Sequence, residues 1–210
     1  IPQNVQLVAV SKTKPIEDIM EAYQAGQRHF GENKVQDLVN KAIMLPKDIH
    51  WHFIGHLQTN KVKQLVPHVS LIHAVDSWKL LAEINKEATK INRVIPCLLQ
   101  FHIAEEDTKF GLDISEATSL LQNLQAESLS HVSISGVMGM ATYTDNTTQI
   151  EREFAQLKSW FDQLRNQFFL HEPQFNQISM GMSDDYLLAI EQGSTMIRIG
   201  SSIFGSRTNH

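Results

Sequence analysis

A lysine stands at the end of an apolar, β-branched run in Leu7-Val8-Ala9-Val10-Ser11-Lys12-Thr13-Lys14-Pro15. A strand that buries both faces has no structural use for an ammonium group at its end. At the C-terminal end of a barrel strand, such a group reads as one that reacts or binds. The second signal is Arg198-Ile199-Gly200-Ser201-Ser202-Ile203-Phe204-Gly205. Glycine lets the backbone approach an anion closely, and the first N–H groups of a helix face it. Ser183, in Ser179-Met180-Gly181-Met182-Ser183-Asp184-Asp185, offers a hydroxyl from the preceding loop or caps the helix that follows. Phosphate sites in barrels occupy the loops after strands seven and eight. Arg198 lies two residues before Gly200 inside an apolar strand, where a buried guanidinium needs an acceptor, either a salt-bridge partner or a ligand. A lysine facing a phosphate cup suits two ligand classes. One is a sugar phosphate or keto substrate that forms a Schiff base. The other is pyridoxal phosphate, whose ring nitrogen would give Arg198 its partner.

Other residues carry less. The single cysteine, Cys97, lies in the apolar run Val94-Ile95-Pro96-Cys97-Leu98-Leu99 and reads as a core thiol. His50 and His52 share one strand face, as metal ligands can, but no strand-end carboxylates stand at a matching spacing, so no metal is expected. The tyrosines are Tyr23, Tyr143 and Tyr186; Tyr143 follows the sixth apolar run, either near the site or, the favoured reading, as a loop aromatic.

Short apolar runs alternate with amphipathic stretches along the whole chain. The expected strands are Leu7 to Ser11, Arg28 to Gly31, His50 to Ile54, Ser70 to Val75, Val94 to His102, Val132 to Met138, Gln177 to Met180 and Met196 to Ile199. The expected helices are Pro15 to Ala25, Asn33 to Met44, Thr59 to Val66, Ser77 to Ile91, Ile114 to Gln125, Thr148 to Phe169 and Asp184 to Glu191. Ser77 reads as an N-cap. Ile150, Phe154, Leu157, Phe161 and Leu164 form a core-facing helical stripe. Strands alternating with helices imply parallel pairing through right-handed crossovers. An open doubly wound sheet competes with a closed (β/α)8 barrel; eight evenly spaced strands favour the barrel. A barrel consumes the whole length, so residues 1–210 are expected to be a single domain.

Composition narrows the function classes. The 210 residues are 42% hydrophobic and 20% charged, ordinary for a globular protein with a sizeable core. The net charge of -5 leaves no basic footprint for nucleic acid. No apolar run reaches the roughly 18 residues of a membrane helix. One cysteine allows no internal disulfide and suits a reducing cytoplasm. The chain begins at Ile1 without a signal-peptide pattern, and an N-terminal helix is expected to be missing from it.

Five separated motifs then converge. Val8-Ala9-Val10-Ser11-Lys12-Thr13-Lys14-Pro15, Phe30-Gly31-Glu32-Asn33, Trp51-His52-Phe53-Ile54-Gly55 with Leu57-Gln58-Thr59-Asn60-Lys61, the Ser179 to Asp185 loop and the Arg198 to Gly205 segment resemble the pyridoxal phosphate homeostasis proteins, the YggS/PROSC family. The resemblance implies the barrel of the alanine racemase N-terminal domain, without the racemase C-terminal β domain. It implies pyridoxal 5'-phosphate held as a Schiff base on Lys12, not on Lys14. Arg198 would face the pyridine nitrogen, and Ser183, Gly200 and Ser201 would hold the phosphate. Met140 would pack on the ring, Lys109 would lie near the phenolic oxygen, and Asn33 would stand near the pocket. The implied role is homeostasis of the cofactor and of amino and keto acids. It would be carried out by a cytoplasmic monomer in transient contact with apo-enzymes that receive the cofactor. A guanidinium partner keeps its own proton, so the ring nitrogen stays largely unprotonated and the ring is a poor electron sink. Non-catalytic binding is therefore expected, with a low-activity amino-acid racemase as the alternative.

Overall fold

Each strand must send alternate side chains to opposite faces, and here both faces are buried. The computed structural model describes residues 1–107 and 110–205. Eight parallel strands follow one another around a closed barrel in chain order. They are β1 Gln6–Val10, β2 His29–Glu32, β3 His50–Phe53, β4 Leu71–Val75, β5 Ile95–Phe101, β6 Val132–Gly139, β7 Gln177–Ser179 and β8 Met196–Ile199. Pairing of β1 with β8 closes the ring, and its register sets Val8 opposite Arg198. The crossovers carry α1 Ile16–Gln24, α2 Val35–Met44, α3 Val62–Leu65, α4 Trp78–Lys90, α5 Ile114–Ala126, α6 Thr147–Phe168 and α7 Tyr186–Glu191, and α8 Ser201–Phe204 follows β8. The closed barrel settles the choice between open and closed sheets.

The alternation builds two separate cores. Outward residues such as Ala9, Phe30, Trp51, Phe53, Leu99 and Val137 join the helices in one large apolar layer. Inward residues Val8, Leu71, Leu98, Met138 and Met196 form a small cluster inside the barrel. The expected stripe on α6 is buried throughout. Truncating a residue such as Phe154 to alanine there costs about 3–5 kcal/mol. Ser77 caps α4 by accepting from the Leu80 N–H at 3.1 Å, worth about 1 kcal/mol. Cys97 is buried, and burial pushes its thiol pKa up. Among the described residues, no helix is long and apolar enough to cross a membrane.

The structure shifts some boundaries. β7 stops at Ser179 and α7 starts at Tyr186, whereas the pattern placed these limits at Met180 and Asp184. Gly181 takes φ 101, which bends the chain, and the Asp185 carboxylate then accepts from the Met182 N–H at 2.7 Å. That turn occupies the residues expected to begin the helix. The expected helix from Thr59 splits into a 3-10 turn, Thr59–Lys61, followed by α3.

Candidate functional site

The C-terminal ends of the strands surround a cleft of about 480 Å³. Lys12, Asn33, Met140, Ser183, Arg198, Gly200 and Ser201 all line it. The structure thus brings together seven of the residues singled out from the sequence; Lys109 lies outside the described residues.

Lys12 is half-buried, and the residue before it is held from several sides. Ser11 donates its backbone N–H to Gly31 O at 3.0 Å and its hydroxyl to Glu32 Oε1 at 2.7 Å. Lys41, reaching in from α2, donates to Ser11 O at 2.8 Å and to Glu32 Oε1 at 2.5 Å. Glu32 is fully buried, and burial raises its carboxyl pKa against the opposing pull of Lys41 and Ser11. These bonds clamp the end of β1. The chain then turns at Thr13, a non-glycine residue with φ 65, and Lys14 N–H donates back to Ser11 O at 3.1 Å. The Lys14 ammonium donates to Phe204 O at 2.9 Å and Gly205 O at 3.4 Å, which ties the β1 loop to the end of α8. Both lysines line the cleft, and the Lys14 ammonium serves there as a strut.

The anion side of the cleft is built from the last two loops. Gly200 N–H donates to Ser183 Oγ at 3.3 Å, joining the loop after β7 to the start of α8. The first N–H groups of α8 have no partner within the helix by its geometry. A Cβ at Gly200 would stand 3.3 Å from Val10 Cβ and 3.4 Å from Val10 O, so a side chain there would crowd β1. Gly55 is tighter still: a Cβ would meet Asn33 O at 2.3 Å.

Arg198 is 3% exposed. Its Nη1 donates to Ser179 Oγ at 2.5 Å and its Nη2 to Gly139 O at 3.1 Å. Both acceptors are uncharged, unlike the structural salt bridge weighed from the sequence. Burial lowers its pKa to about 10, with Asp185 pulling the other way, so it stays charged near neutrality. A guanidinium has five donors, so capacity remains for a ligand in the cleft it lines.

Two further features complete the surroundings, one at a residue that the sequence favoured as a loop aromatic and one that the sequence did not show. Tyr143 lines the cleft at its rim, 87% exposed. Behind Arg198, Ser179 meets His73, which meets His52, which meets His29. The signal was an inward histidine on each of β2, β3 and β4 and an inward serine on β7, visible only once the inward parity of each strand is known. Both ring nitrogens of His52 are engaged in this chain of bonds, so the His50/His52 pair is not arranged as a metal clip. No group of three or more His, Cys, Asp or Glu able to hold a metal occurs among the described residues.

Comparison with known proteins bears on this cleft. The family model for the alanine racemase N-terminal domain matches residues 1–208. A pyridoxal phosphate homeostasis protein of Pasteurella multocida is 41% identical over 206 residues, covering 97% of this chain and 87% of the relative. PipY of Synechococcus elongatus, solved without PLP, matches with a TM-score of 0.90 at 38% identity, over 98% of this chain and 94% of that one. The structure of PipY with PLP bound matches with a TM-score of 0.86 over the same shares.

Proposed function

The chain belongs to the pyridoxal phosphate homeostasis protein family, on the alanine racemase N-terminal fold, and from that premise we propose that it binds pyridoxal 5'-phosphate in the C-terminal cleft as a regulatory, non-catalytic carrier. The observation that supports this most is one of placement. A clamped lysine, a cradle of Ser183, Gly200 and Ser201, and a buried arginine line a single cleft. The residues fit the group: Ser183 and Ser201 bring hydroxyls to the cleft beside the start of α8, and Gly200 packs on Val10 with no side chain to obstruct them.

Lys12 would hold the aldehyde carbon as a Schiff base, and Ser183, Gly200 and Ser201 would hold the phosphate. Arg198 would face the pyridine nitrogen, and Met140 would pack on the ring. Asn33, which lines the cleft, would stand beside the bound group. When bound, the cofactor supplies an aldehyde that condenses reversibly with amines. Arg198 keeps its own proton, so it presents a donor to the ring nitrogen and does not protonate it. That arrangement favours holding over turnover. The role that follows is buffering of the free aldehyde, with effects on amino and keto acids, by a cytoplasmic monomer that hands the cofactor to apo-enzymes. A low-activity amino-acid racemase is the second reading; the observation in its favour is Tyr143 at the cleft rim.

Titration of the protein with pyridoxal phosphate tests the first reading. A visible absorbance band is expected in the wild type and not in Lys12→Ala; an unchanged band in Lys12→Ala would overturn the assignment. Interconversion of L- and D-alanine, lost in Tyr143→Phe, would establish the second.

A further inference from the structure

The interior of this barrel is threaded by hydrogen bonds. His29 Nδ1 lies 2.9 Å from His52 Nε2, and His52 Nδ1 lies 2.8 Å from His73 Nε2. His73 Nδ1 lies 2.9 Å from Ser179 Oγ, which accepts from Arg198 Nη1 at 2.5 Å. β4 and β7 are not neighbours in the sheet, so the His73–Ser179 bond crosses the barrel's interior. His52, His73, Ser179 and Arg198 are all buried. His29 lies at the start of β2 and lines a second cleft of about 520 Å³ at the N-terminal mouth. The column therefore runs from one mouth of the barrel to the arginine in the other.

Its polarity follows from elementary donor counting. A guanidinium only donates. Ser179 Oγ accepts from it, and the hydroxyl proton is left for His73 Nδ1. A nitrogen that accepts must be bare, so the His73 proton sits on Nε2 and is donated to His52 Nδ1. The same step places the His52 proton on Nε2, donated to His29 Nδ1. The reverse order would leave the buried Ser179 proton with no place in the column, at the cost of an unmade hydrogen bond. Burial also disfavours charge on these rings. It lowers the pKa of His52 to about 3 and of His29 to about 4, and holds His73 well below its ordinary value.

We propose that His73, backed by His52 and His29, is a positioning residue for the cofactor pocket: the column orders Ser179 Oγ as an acceptor and so sets the Arg198 guanidinium that faces the ring. The effect on cofactor binding rests on the function proposed above; the polarity of the column does not. Without the Ser179 hydroxyl, the guanidinium keeps only Gly139 O as a bonded anchor of this pair and loses its fixed tilt. The ring nitrogen would then meet a displaced donor. Both the affinity and the colour of the bound cofactor should change.

Two measurements test this. In the ligand-free protein, nitrogen-15 NMR of the imidazoles near neutral pH should show His29, His52 and His73 neutral, with protons on Nε2. A proton on Nδ1 of His73, or a charged ring there, would overturn the polarity. In spectral titrations with pyridoxal phosphate, Ser179→Ala and His73→Leu should each weaken binding about tenfold, the worth of one charge-assisted hydrogen bond, and displace the visible band. Ser179→Thr, which keeps the hydroxyl, should restore both. Binding and band in a folded Ser179→Ala indistinguishable from wild type would overturn the positioning role. If His73→Leu fails to fold, His29→Gln gives the same reading from the far end, since it should change the His52 resonances and displace the band. A wild type that binds no pyridoxal phosphate would overturn the cofactor reading, and the imidazole spectra would then judge the column alone.

Discussion

Acidification should destabilise this protein through its buried histidines, before its carboxylates dominate. In an unfolded chain a histidine titrates near 6.5. In the fold, burial lowers the pKa of His52 to about 3 and holds that of His73 well below its ordinary value. Between those values the unfolded state binds more protons, so stability is full above about pH 6.5 and falls as the pH falls towards the folded pKa. Between about pH 7.5 and about pH 5, each ring that stays neutral only when folded removes about 2 kcal/mol, and the pair about 4 kcal/mol. His29 adds less because it is only half-buried. Glu32 and Asp76 work in the opposite direction. Their raised pKa values mean that the folded state takes up protons first, which adds stability as the pH falls. The perturbation that isolates the histidines is therefore His73→Asn, which keeps an acceptor in place but cannot titrate. Urea unfolding of the ligand-free protein, followed by circular dichroism across that range, measures the difference. The wild type should lose about 2 kcal/mol more than His73→Asn over the interval. Equal acid losses in the two proteins would refute the reasoning, because His73 would then take up no extra proton on unfolding.

Two other substitutions read the scaffold under Lys12. Lys41→Met leaves the Glu32 carboxylate buried and unpaired, with an expected loss of about 3–5 kcal/mol in denaturant unfolding; adding Glu32→Gln should recover most of it. Gly55→Ala pushes a Cβ to 2.3 Å from Asn33 O, so a loss of about 1–3 kcal/mol is expected in thermal unfolding, together with weaker cofactor binding through the displaced Asn33 loop.

The barrel was legible because its strands are buried on both faces and its helices on one, which produces two distinct periodicities in the same chain. Register and exact limits were not legible. The end of β7 is decided by Gly181 and by the Asp185 carboxylate folding back on Met182, a local turn that outweighs apolar continuity through Met180. In the site, Lys12, Gly200 and Ser201 stood out because charge or small size at a strand end conflicts with a purely structural role. The clamp on Lys12 did not stand out. Lys41 and Glu32 are ordinary residues on a helix and a strand until the crossover sets them 2.5 Å apart. The histidine column was hidden for a related reason. Its members lie on four strands, and His73 and Ser179 meet only because the sheet closes.

The central claim is that one amine, at Lys12, carries the cofactor. Borohydride reduction of the protein loaded with pyridoxal phosphate, followed by peptide mass spectrometry, tests it most directly. A single pyridoxyl mass increment on the peptide containing Lys12 is expected, with fragmentation assigning it to that residue. The same increment on Lys14 or elsewhere, in protein that shows the visible band, would contradict it.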